Sequence, residues 1–115
     1  MSIHDSTRAH LAVFWHTYAA HRDVFAAIEQ ATLANPAFAE RMRVFRAEQM
    51  QPWIEWLTDL AARGARLPAD PVVTAAMIAA TAETMIQSWH GDPDVGIDNL
   101  TDFVAAGLGV GLARH

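Results

Sequence analysis

The stretch DPVVTAAMIAATAETMIQSWH, residues 70–90, decides the fold. It opens on Asp70-Pro71, a capping side chain followed by a proline at a position where the helix has no use for an N–H. It closes on Gly91-Asp92-Pro93, a sequence that ends a helix. Between these ends Glu83 is the only formal charge. Ile78, Ala82, Met85, Ile86 and Trp89 make one side of the predicted helix. Thr74, Met77, Thr81, Thr84 and Ser88 make a neighbouring, hydroxyl-lined side, and Val72, Ala76, Ala79 and Glu83 fill the remainder. A helix that is apolar nearly all round is buried on more than one face. In a chain of 115 residues, a second subunit is the natural cover.

Outward from this segment the helical period continues, with no run of strand alternation. A first helix is predicted from about Thr7 to Ala20, capped by Asp5 or Ser6, with Leu11, Phe14, Trp15 and Tyr18 as its stripe. A second runs from about Asp23 to Leu33. Asn35-Pro36 restarts the pattern, and a long third helix reaches Arg63 before Gly64. Its stripe is Phe38, Met42, Phe45, Gln49, Trp53, Trp56 and Leu60, within a sector of about 80°. Gln49 is the one polar member, and Pro52 should kink the segment. The fifth helix is predicted from about Ile97 to Ala113, capped by Asp94 or nearby. Its stripe holds Leu100, Phe103, Val104, Gly107, Leu108 and Gly111. The expected fold is all-α, a single five-helix bundle over residues 1–115.

Composition limits the function. Hydrophobic residues are 52% and charged residues 18%, which excludes a disordered chain. All eight basic residues are Arg and the net charge is −5, a poor match for direct phosphate contacts. With no cysteine, disulfides, thiol catalysis and Cys-based zinc sites are excluded. The polar start and the lack of a long apolar run point to neither a signal peptide nor a membrane span.

Catalytic and metal motifs are missing. His10, His16 and His21 lack the i, i+3 or i, i+4 spacing of helical ligand pairs, and His10 and His21 lie about 16 Å apart along a helix. There is no nucleophile elbow, and Gly107-Leu108-Gly109-Val110-Gly111 has no strand before it. Neither an enzyme nor a cofactor is expected. What stands out instead is apolar surplus. Gly107 and Gly111 lie one turn apart, so they either admit a close partner helix or mark a frayed end. Pairing the fourth and fifth helices with their copies would give a two-fold four-helix interface, with Val72, Ala76, Ala79, Glu83, Val104, Gly107, Leu108 and Gly111 as its residues. Gln49 is either a satisfied core or rim amide or a hook for a ligand. Thr74, Thr81 and Ser88 either bond their own helix or face a pocket.

The order of segments resembles the C-terminal ligand-binding and dimerisation domain of TetR-family transcriptional regulators, in the branch of the ethionamide-resistance repressor. The residues that carry it are Phe14-Trp15-His16-Thr17-Tyr18-Ala19-Ala20-His21-Arg22, then the helix from Asn35 to Gly64 with Ala39-Glu40 and Arg63-Gly64. Leu67-Pro68-Ala69-Asp70-Pro71 follows, leading to Trp89-His90-Gly91. The likeness spans about residues 10 to 112. It implies a cytoplasmic homodimer through the last two helices and a cavity for a lipophilic effector. By resemblance that cavity is lined by Phe14, Tyr18, Met42, Phe45, Gln49, Trp53, Met77, Thr81 and Thr84. Relatives often place an amide near Thr81; Thr is a shorter hook, so the resemblance does not carry over the same ligand class. The family's helix-turn-helix has no counterpart among these residues, and DNA binding is not carried over. The alternative expectation is a helical protein-interaction module with a filled core and no ligand.

Overall fold

Three of the helices start on the same device, an Asx residue followed by proline. In the computed structural model, which describes residues 2–109, Asn35 accepts from the Ala37 and Phe38 amides to open α3 (Pro36–Ala62). Asp70 accepts from Val73 to open α4 (Pro71–Ser88). Asp92 accepts from Asp94 to open α5 (Pro93–Gly107). Each side chain satisfies amides that the first turn leaves orphaned, and each proline follows where its missing N–H costs nothing. With α1 (Ile3–Ala20) and α2 (Arg22–Ala34), the described residues form an all-α bundle of five helices. None of these helices is long and apolar enough to cross a membrane.

Several expected boundaries move. The first helix begins at Ile3 rather than Thr7, because Ser2 Oγ accepts from the Asp5 amide at 3.0 Å. Thr7 is then inside the helix, fully buried, and its hydroxyl donates to the Ile3 carbonyl. The second helix extends one residue beyond its expected limits at each end. The fifth begins at Pro93 rather than Ile97, since Asp92 caps it rather than Asp94. It ends at Gly107 instead of continuing to Ala113, and residues 110–115 lie outside the described part. The third helix runs unbroken through Pro52.

Helix α1 lies at the centre, packed on α5 and α4. Leu11, Trp15 and Tyr18 of α1 meet Leu57 and Leu60 of α3, Ile78, Ala82 and Ile86 of α4, and Ile97 and Leu100 of α5 in one core. A His4–Asp102 hydrogen bond at 2.9 Å and an Arg8–Asp98 ion pair at 2.7 Å stitch α1 to α5 along the outside. The hydrogen bond that Arg8 Nε donates to Asp98 holds the guanidinium above its ordinary pKa. Among the described residues, every buried side-chain polar atom has a partner.

Gly96 allows the α1–α5 contact to close. A Cβ there would lie 2.5 Å from Trp15 Cη2 and 2.9 Å from Trp89 Cε2. Both neighbours are rigid rings, so nothing yields cheaply. Gly96→Ala should destabilise the fold by about 1–3 kcal/mol by overpacking, although alanine is intrinsically the better helix former by about 1 kcal/mol. Urea unfolding of the two proteins checks the sign.

Burial along α3 depends on length. At 27 residues it is about 40 Å long, whereas the 18 residues of α4 span about 27 Å. Trp56, Leu57 and Leu60 are therefore in the core, while the N-terminal half runs past it, forming a hairpin with α2 and reaching α4 through Arg46. That hairpin contains no fully buried residue from Arg22 to Gln49.

Candidate functional site

Where α3 and α4 diverge, a groove of about 450 Å³ runs between them. Arg46, Ala47, Met50, Gln51 and Ile54 form its α3 wall. Val72, Ala76, Ala79, Ala80 and Glu83 form its α4 wall. The alanines recur on consecutive turns of α4, and their short side chains create the space. One polar feature crosses it: Arg46 Nη1 donates to Glu83 Oε1 at 2.9 Å. A volume of this size, mostly apolar with a few polar groups, is typical of small-molecule sites. A shallower depression continues along α3 past Arg43, Val44 and Glu48.

The residues assigned to an effector cavity by resemblance are only partly brought together. Phe14, Tyr18 and Trp53 cluster: Phe14 stacks on Tyr18 with ring centroids 6.0 Å apart and meets Trp53 edge-on at 5.8 Å. Tyr18 also stacks on Phe25 at 4.5 Å, and its hydroxyl accepts from Gln87 Nε2 at 2.7 Å. These rings touch one another and make core. Met42 is half-buried, whereas Phe45 and Gln49 are exposed on the overhanging half of α3. The expected burial of Gln49 is thus corrected: its stripe is continuous, but the elements that would cover it stop short. On α4, Met77 and Thr84 are exposed, and the Thr81 hydroxyl donates to the Met77 carbonyl at 2.8 Å. Thr74 and Ser88 likewise bond backbone carbonyls of their own segment. None of the nine residues lines the α3–α4 groove.

The residues assigned to a subunit interface separate as well. Val72, Ala76, Ala79 and Glu83 line the groove. Val104 and Leu108 turn into the chain's own core at 5% and 1% exposure, so their expected place on an outer face is corrected. Gly107 has open space around its Cβ direction, and Gly111 lies outside the described residues. Gly109 has a different role from the one expected of this glycine-rich end. Its φ is +76°, and a Cβ there would come within 2.7 Å of Arg66 Cβ. This turn packs against the chain's own α3–α4 loop, where the Arg66 amide donates to the Leu108 carbonyl at 2.8 Å.

An outer apolar face does exist, one flank further round. Val73, Met77, Ala80 and Thr84 fall within about 60° on α4, and all are exposed. On α5, Val95, Asn99, Phe103 and Ala106 fall within about 80° and are also exposed. Phe103, at 67% exposure, was placed in the apolar stripe but not among the interface residues. The signal was available: taking Ile97, Leu100, Val104 and Leu108 as the inner stripe leaves Phe103 turned away from its centre.

Among the described residues, no three His, Asp or Glu side chains converge to hold a metal. Set against known proteins, the chain matches no family model, no curated protein and no solved structure.

Proposed function

We propose that the chain is an effector-binding and dimerisation module of the TetR-like regulatory type. In this reading it senses a lipophilic small molecule in the α3–α4 groove as part of a cytoplasmic homodimeric regulator. The observation that carries this reading is the double exposure of α4. One flank walls the apolar groove, and the adjoining flank, Val73, Met77 and Thr84, is bare. Two copies meeting through α4 and α5 would cover the bare flank and give α4 the second burial that its sequence requires. A ligand preferring one position of α4 would then bias the subunit geometry by its differential affinity. Any DNA contacts would come from a helix-turn-helix that is not among these residues.

The second reading, a helical interaction module without a ligand, is favoured by the close stacking of Phe14, Tyr18 and Trp53. A thermal-shift panel of hydrophobic and amphipathic compounds separates the two. A ligand at about 100 times its dissociation constant should add about 2.7 kcal/mol of stability. Ala47→Trp, on the α3 wall and away from the bare flank, should abolish that shift while leaving the oligomeric state unchanged. A panel that shifts nothing removes the effector reading and leaves the interaction module.

A further inference from the structure

The groove contains an unequal ion pair, and the inequality specifies a ligand class. Glu83 is the only formal charge on α4 and is set among Ala76, Ala79 and Ala80 on the groove wall. Its side chain is 22% exposed, while that of its partner Arg46 is 58% exposed. We infer that the groove binds lipophilic cations, with Glu83 holding the positive head group and Arg46 serving as a displaceable lid. The inference rests on the reading of this groove as the effector site.

The two possible exchanges differ in cost. A cation entering the groove releases Arg46, whose long side chain already projects mostly into water and is readily rehydrated. A pair this exposed on one side has little to lose, since surface ion pairs are worth only about 0–1 kcal/mol. Glu83 then exchanges one positive partner for another without losing its compensation. An anion could be held only by the N–H groups of Arg46 that Glu83 does not use, on the side facing water, and would set a second negative charge beside the less exposed Glu83. The net charge of −5 acts in the same direction, raising the local concentration of cations around the chain. The apolar walls, Met50, Ile54 and Val72 among them, would receive the aliphatic or aromatic remainder.

The test is calorimetric titration of the full chain with decyltrimethylammonium, decanoate and the uncharged decyldimethylamine N-oxide, each below its micelle concentration. The ammonium is expected to bind at least about tenfold more tightly than decanoate, a difference of about 1.4 kcal/mol. Glu83→Gln should abolish that preference while leaving the N-oxide unaffected. Arg46→Gln, which removes the competing cation, should tighten ammonium binding several-fold. Equal or tighter binding of decanoate overturns the inference, as does a preference that survives Glu83→Gln. In either case the effector reading still stands. Failure of all three amphiphiles to bind overturns both.

Discussion

Trp15→Ala should remove about 3–5 kcal/mol of stability, the usual cost of deleting a buried indole. Against a typical total of about 5–15 kcal/mol for a small domain, that is about a fifth of the fold's stability or more. Trp15 is 3% exposed and meets the Trp89 ring edge-on at 6.2 Å. It also lies against the Gly96 backbone, so its loss opens a cavity at the junction of α1, α5 and the α4–α5 turn. Rigid helices on its sides cannot close that space. The same geometry makes a sharper demand. Gly96→Ala is costly because its new methyl strikes Trp15, so combining it with Trp15→Ala should cost less than the sum of the two. A coupling of about 1 kcal/mol in a double-mutant cycle is expected for residues in direct contact. Additive urea midpoints would show that the Trp15–Gly96 contact is not what limits the packing there.

Phe103→Glu should have its largest effect on association. Phe103 is 67% exposed in the isolated chain, so the change should leave the fold's own stability within about 0.5 kcal/mol. If α4 and α5 pair with their copies across a two-fold axis, each dimer gains two carboxylates in an apolar seam. Aromatic anchors at interfaces are worth about 2 kcal/mol or more, and an unpaired buried charge adds to that loss. The dissociation constant should rise by about 100-fold or more, equivalent to about 2.7 kcal/mol. Sedimentation equilibrium reads this directly. Val13→Glu, at an equally bare position on α1 (69% exposed), is the control and should leave the mass unchanged. A Phe103→Glu protein with the parent's mass at every concentration would retire the α4–α5 face as the interface.

Helix identity was legible throughout because it depends on local signals. Asn35-Pro36 and Asp70-Pro71 were read as starts, and the structure uses both. Asp92-Pro93 carries the same signal. It was read only as the end of the preceding helix, and α5 was started four residues late. Ser2 was passed over because a polar N-terminus looks like a tail, yet its hydroxyl is the cap. Of the two readings left open for the helical hydroxyls, the structure shows local bonding for Thr74, Thr81 and Ser88.

Site placement was less legible, for reasons of geometry. Periodicity reports which residues share a face, and Phe38 to Leu60 do share one. It cannot report which part of the longer α3 overhangs α4 and α5, and that offset leaves Phe45 and Gln49 outside the core. Nor can it distinguish the two flanks of α4, since small and medium apolar side chains suit a groove wall and an outer face equally well.

By itself the sequence determined the helices, the caps at Asn35 and Asp70, and the excess of apolar surface on α4. Each follows from interactions within a few residues: Asx side chains meeting nearby amides, proline fixing φ, and the 3.6-residue period. Only the tertiary structure decided how that excess is divided. Interhelix distances place Val104 and Leu108 inside, turn Phe103 outward, and open the space that Arg46 and Glu83 bridge. Those distances depend on relative helix length and on close approach at Gly96 and Gly109, quantities to which no single helix is sensitive.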